Sequence, residues 1–169
     1  MKINIFYDKL IYIITLFCIG LIIGLPVLFF FTFNDTIFSL ITLAIGAIPL
    51  AIAALFAPRY YLVEKDEIII KKIVGKIIIC KDDIENVTII DSEMVKGLFR
   101  KFASGGFLGY YGLFYSNVLK NINMYAGSSS KNLVLITLKS KKSYLITPKE
   151  MQTFTNTMTA YFENDNLES

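Results

Sequence analysis

Two long runs without a formal charge dominate the first third of this chain. Leu10 to Phe33 gives 24 positions rich in Ile, Leu and Phe, and Ile37 to Ala57 gives another 21. A helix rises about 1.5 Å per residue, so about 20 residues cross a 30 Å hydrocarbon core. Both runs are long enough. Neither shows the polar face of a helix that is half-buried in a water-soluble core. Asn34-Asp35-Thr36 between them leaves room only for an antiparallel hairpin. The first run exceeds the roughly 7–15 apolar residues of a cleaved signal core, and a second span follows at once. Residues 1–58 are therefore expected to be a transmembrane hairpin with spans at 10–33 and 37–57.

Charge separates this part from the rest. Residues 1–58 hold only Lys2, Asp8, Lys9 and Asp35, whereas residues 59–169 hold 15 basic and 12 acidic side chains. Lys2 and Lys9 flank the first run, Arg59, Lys65, Lys71 and Lys72 follow the second, and the turn has no basic residue. The positive-inside rule then predicts a multi-pass protein of the inner membrane with both termini cytoplasmic. Tyr7 and Tyr12 on one side, and Tyr60 and Tyr61 on the other, suit a common headgroup level. Pro26, Pro49 and Gly46 are ordinary in membrane helices, while Gly20 and Gly24 form a small-xxx-small pair that permits close packing. No charge lies inside either span to mark an ion path.

Composition also weighs against several kinds of chemistry. There is no histidine, the commonest general base and metal ligand. Cys18 lies in an apolar run and Cys80 ends a β-like run, so both read as inert thiols. Asp82, Asp83 and Glu85 read as an exposed turn, not as a catalytic carboxylate pair. Without the terminal acids Glu163, Asp165 and Glu168, residues 59–162 carry about +6, from 15 basic and 9 acidic side chains. That balance suits an anionic leaflet. No dense basic stripe suggests nucleic acid. The expectations are no enzyme, no cofactor and no metal site.

Past Pro58 the pattern becomes short β-rich runs. Strands are expected at 59–63, 68–73, 76–80, 87–91, 118–125, 133–138 and 143–146, with 81–85 as a polar or helical link. Thr147-Pro148-Lys149-Glu150 reads as a helix cap, with proline at the first helical position and glutamate three after the cap. Met151, Phe154, Met158 and Tyr161 or Phe162 then form one apolar stripe. Seven strands and a closing helix predict a barrel or sandwich plugged at one opening, with an acidic tail at 163–169.

Seven short antiparallel strands capped by a C-terminal helix look like the pleckstrin-homology (PH) fold. The stretch Phe102-Ala103-Ser104-Gly105-Gly106-Phe107-Leu108-Gly109-Tyr110-Tyr111-Gly112, then Tyr125-Ala126, Leu133–Ile136 and Thr147-Pro148, resembles a bacterial PH-like domain family over residues 59–162. Members often carry N-terminal membrane helices. The resemblance implies a fold more than an activity. A phosphoinositide site of the eukaryotic kind needs basic residues at the first hairpin. Here that hairpin reads Glu64-Lys65-Asp66-Glu67, so specific phosphoinositide binding is not expected.

Two groups of residues are candidates for binding. With almost no linker after Pro58, a first strand of five residues climbs about 17 Å and the second must return. That brings Lys71, Lys72 and Lys76 to the membrane surface, where each gains about 1 kcal/mol against an anionic leaflet. The other group lies between Lys96 and Ser116, which has five glycines and seven aromatics and fits no strand or helix period. Read as a long loop, it packs on the domain core, dips into the interface beside the helices, or meets a protein partner or another copy. Its binding candidates are Phe99, Arg100, Lys101, Phe102, Phe107, Tyr110, Tyr111, Phe114 and Tyr115. The glycine spacing lacks the Lys-Ser/Thr and the strand–turn–helix setting of nucleotide motifs. The chain thus reads as a non-enzymatic, membrane-anchored binding or scaffolding protein. The alternative is an accessory subunit of a membrane transport or envelope complex, acting through its helices.

Overall fold

The computed structural model describes residues 1–168, with side chains described through residue 160. Helices α1 (Lys9–Phe33) and α2 (Thr36–Phe56) form the expected pair. The Asp8 carboxylate accepts from the Ile11 amide at 3.2 Å and begins α1. Asn34 ends it in the left-handed conformation, φ 50°. Asp35 then accepts from the amides of Ile37 and Phe38, at 2.9 and 3.1 Å, and starts α2. The polar triplet is therefore a cap-to-cap turn that satisfies orphan backbone groups at two helix ends. Both helices are long and apolar enough to cross a membrane, and only 6% and 0% of their most apolar windows are buried. Protein does not shelter them within this chain, which is consistent with a membrane anchor.

Before α1 the chain forms a strand that the sequence pattern did not reveal. β1 (Lys2–Asn4) pairs antiparallel with β2 (Pro58–Val63), Ile3 opposite Tyr61. β3 (Glu67–Lys72) and β4 (Lys76–Cys80) complete a four-stranded sheet in the order β1-β2-β3-β4. Ile3 and Ile5 are buried in the main core. Grouped with the helices by their position, these residues belong to the fold of the β-domain.

The second sheet has six strands. After a 3-10 turn at Lys81–Asp83 come β5 (Ile84–Ile89) and the one-turn helix α3 (Ser92–Val95). β6 (Phe99–Gly105), β7 (Tyr110–Ser116), β8 (Lys120–Ala126), β9 (Val134–Leu138) and β10 (Ser143–Ile146) follow. Their order is β5-β9-β10-β8-β7-β6. Among the described residues there are ten strands in two sheets, not seven, and β8 and β10 run parallel where antiparallel pairing was expected. β5 starts three residues before the expected strand. Helix α4 (Met151–Glu168) closes the sandwich, with Phe154 and Met158 buried in the main core. The side chains of Tyr161 and Phe162, and the acidic side chains of 163–169, lie outside the described residues.

The largest correction is at 96–116. Instead of a loop it holds a β-hairpin, β6 paired with β7 from Phe99↔Tyr115 to Gly105↔Tyr110. Two features hid the period. The register shifts between Arg100 and Phe102, so the bulge at Lys101 uses one residue and puts Phe99 and Phe102 on one face despite a spacing of three. Gly112, at φ 112°, lets β7 lie against β6: a Cβ there would sit 2.3 Å from the Phe102 carbonyl oxygen.

Thr147 does not cap α4 as expected. It is buried, and its hydroxyl accepts from the Gly127 amide at 2.8 Å and lies 3.3 Å from the Phe6 carbonyl. Its own amide donates to the Tyr61 hydroxyl at 3.1 Å, and that hydroxyl donates to the Tyr125 carbonyl at 2.6 Å. The Thr147 carbonyl accepts from the Phe6 amide. One knot of hydrogen bonds thus joins the N-terminal segment, β2, and the ends of β8 and β10. Tyr61 is fully buried in it and does not sit at a headgroup level. Burial pushes its phenol strongly above the usual range.

Tyr61→Phe should leave the Thr147 amide and the Tyr125 carbonyl short of a partner and cost about 2–4 kcal/mol. Denaturant unfolding of the detergent-solubilised chain, followed by near-UV circular dichroism, checks this; an unchanged midpoint contradicts it. Gly112→Ala should open the β6–β7 hairpin, read as fast amide exchange at Ala103. Gly97→Ala, at φ 75° in open space, should cost only about 1–2 kcal/mol of backbone strain. Equal effects of the two substitutions would contradict the close β6–β7 approach.

Candidate functional site

The β6–β7 hairpin reaches back to both helices. Its tip, 105–109, lies on α1: the Leu108 amide donates to Thr15 Oγ1 at 3.1 Å, and a Cβ on Gly106 would meet Ile14 Cδ1 at 2.7 Å. Thr15 is six residues into α1, about 9 Å along its axis. From β7 the Tyr111 hydroxyl donates to the Ala53 carbonyl of α2 at 2.8 Å. The tip also bonds itself, Gly106 amide to Gly109 carbonyl at 3.0 Å. Tyr111 is buried, and burial pushes its phenol up.

The nine predicted binding residues do not form one surface. Alternation along β7 sends Phe114 into a second core with Ile122, Met124 and Leu145, and Tyr110 packs against the same cluster. Tyr111, Leu113 and Tyr115 take the opposite face, and the register places Phe102 across from Leu113 and Phe99 across from Tyr115. On that face Phe102 is 90% exposed and Phe99 65%. Lys101 donates to Asn121 Oδ1 at 2.9 Å and sits 5.0 Å from the Tyr115 ring centroid, while Arg100 is exposed on the edge strand. Phe107 is half-buried in the turn. The face that binds α2 through Tyr111 therefore continues into an exposed aromatic edge with one cation, Lys101, whereas Arg100, across from Phe114, lies on the other face.

The β3–β4 turn returns to the helices too. The Val74 amide donates to the Leu55 carbonyl at 2.9 Å, and Lys72 Nζ lies 5.5 Å from the Phe56 ring centroid. Lys71 pairs across the ladder with Lys76, on the face of the hairpin opposite Lys72. Ile73 and Val74 at this turn are exposed.

Between the two returning hairpins lies a cleft of 380 Å³ that the sequence did not reveal. Ile11 and Leu16 of α1, Pro58 and Arg59 of β2, Ile73 and Leu108 line it, with Tyr7 and Tyr12 alongside. The two tyrosine rings are 6.3 Å apart, and the Tyr7 hydroxyl donates to the Pro58 carbonyl at 2.9 Å. Burial, with Tyr12 nearby, pushes the Tyr7 phenol up to about 12 against the opposing pull of Arg59. A positive charge after the second span and tyrosines around the start of the first were visible in the sequence. Their convergence with Ile73 and Leu108 depends on the two hairpins and was not.

A second groove of 400 Å³ lies between α3, the hairpin and residues 129–130, with Lys96 and Arg100 at its rim. Among the described residues no group of three His, Cys, Asp or Glu side chains is placed to hold a metal. Cys18 and Cys80 are both free thiols.

No curated protein and no solved structure matches the chain. Residues 59–161, more than half of it, match the family described as Bacterial PH domain. The match begins at β2 and ends in α4, spanning both hairpins that return to the helices. The chain belongs to the bacterial PH domain family and carries two apolar helices ahead of that domain, consistent with a membrane anchor.

Proposed function

We propose that this chain is a membrane-anchored binding and scaffolding module, without a catalytic centre, whose domain sits flat against the inner leaflet. PH domains are generally non-catalytic binding modules, which supports the first part. The observation that carries the second is the double attachment of the β6–β7 hairpin, through Leu108 to Thr15 and through Tyr111 to Ala53. A domain bonded to two membrane helices has one orientation. Phe102, Leu113 and Tyr115 then meet the interface, Lys101 beside them meets headgroups, and Lys71, Lys72 and Lys76 do the same from the other hairpin. The surfaces turned away from the bilayer are left for a protein partner or a second copy.

The pairing of β1 with β2 supports placing both flanks of the helical hairpin on one side of the membrane. The basic residues on those flanks make it the cytoplasmic side. A second reading, an accessory subunit acting through its helices, has one observation in its favour. A methyl group added at Gly20 or Gly24 of α1 would meet nothing within 4 Å, so α2 does not use their face.

Two outcomes are expected. Cys80 is exposed on the domain, so a membrane-impermeant maleimide should label it in inverted vesicles and not in intact cells; labelling in intact cells reverses the proposed sidedness. An environment-sensitive dye at Phe102→Cys, in the Cys80→Ser background, should shift to the blue in vesicles relative to detergent. The same dye at Lys65→Cys, on the β2–β3 turn, should not. If a photocrosslinker at position 102 instead captures only protein, the edge is a partner surface and the leaflet reading fails.

A further inference from the structure

We propose that the 380 Å³ cleft between α1, the start of β2 and the tips of the two hairpins is a binding site for one anionic phospholipid, its phosphate on Arg59 and an acyl chain along Ile11 and Leu16. This rests on the membrane anchoring proposed for the domain and adds a specific ligand.

Charge and wall chemistry both point to such a ligand. Arg59 supplies the only charged side chain in the cleft lining, and among the described residues it makes no ion pair. It is the third residue after α2. A guanidinium there presents a planar fork of donors suited to phosphate oxygens. No carboxylate lines the cleft to take the place of a ligand. The Tyr7 proton is already committed to the Pro58 carbonyl, so Tyr7 acts as a wall and Arg59 as the recognition group.

The rest of the lining is largely apolar. Ile11, Leu16, Ile73 and Leu108 give a floor with no acid, and the Leu108 amide is held by Thr15. A hydrophilic anion would leave that floor wet, whereas an acyl chain removes it from water. The floor is also continuous with the lipid-facing side of α1, where Leu16 is 70% exposed, so a chain can enter from the bilayer plane. The cleft is distinct from the β2–β3 turn, whose Glu64, Asp66 and Glu67 repel a phosphate.

The test uses the full chain in detergent, equilibrated with mixed micelles of phosphatidylcholine and phosphatidylglycerol and read by native mass spectrometry. Wild type should retain one phosphatidylglycerol in preference to phosphatidylcholine. Arg59→Gln should cut that preference about tenfold, equivalent to about 1.4 kcal/mol. Arg59→Lys should keep part of it, and Lys65→Gln, a distant loss of the same charge, should keep all of it. Ile73→Trp, which fills the cleft, should lower retention of both lipids. Unchanged retention in Arg59→Gln overturns the site, as does equal retention of the two lipids by wild type, which would mark annular lipid. Displacement of the lipid by inorganic phosphate alone would show a phosphate site instead. If circular dichroism finds Arg59→Gln unfolded, Arg59→Lys and Ile73→Trp still decide. Sidedness does not enter in detergent, so failure here leaves the anchoring test standing.

Discussion

The antiparallel pairing of β1 with β2 is the constraint from which the other contacts follow. It sets the chain that enters α1 beside the chain that leaves α2, with Ile3 opposite Tyr61, and makes two membrane-length helices an insertion within a sheet. A hairpin hung on one flexible linker would leave its domain free to rotate. Here both ends are fixed by ladder hydrogen bonds, and the Tyr61–Thr147 knot ties the same segment to the second sheet. The segment that leads into the anchor therefore belongs to the core of the domain. Ile3 and Ile5 sit in it with Ile146 and Phe154, from the far end of the chain.

From that base the two returning hairpins gain their geometry. β3–β4 meets the end of α2 through Val74, and β6–β7 meets both helices through Leu108 and Tyr111. Backbone near a hydrocarbon layer must have its polar groups satisfied by protein. The β6–β7 tip meets this demand with its own Gly106–Gly109 bond and with a hydroxyl borrowed from Thr15. Its glycines have a steric purpose: a side chain at 106 would collide with Ile14, and one at 109 with the Ala126 carbonyl. The cleft beside Arg59 is what remains between these two contacts.

Much of this was legible from residue order. The spans, read as 10–33 and 37–57, are helices 9–33 and 36–56 because charge exclusion by lipid leaves a signal over twenty residues long. The runs of β2, β3, β4, β9 and β10 were also readable, as were the apolar positions Met151, Phe154 and Met158. β1 was not, since a strand of three residues directly before a longer apolar run has no period of its own. β6 and β7 were hidden by a bulge at Lys101 and by glycines whose role is close backbone contact. Thr147 satisfies the sequence pattern of a helix cap, yet tertiary hydrogen bonds claim its side chain first. The aromatic stretch stands out in the sequence as one block, but alternation divides it, with Phe114 in a core and Phe102 at the surface. Residues of the cleft come from four segments, and no local pattern links them.

Whether anchor and domain are one folded unit is decided by amide hydrogen exchange on the full chain in lipid nanodiscs. If they are, the amides of Ile3 and Leu108 exchange as slowly as those of Ile69 in the middle of the first sheet. Rapid exchange at Ile3 or Leu108, with Ile69 still protected, would mean that the domain hangs free of its helices, and the attachment described above would be refuted.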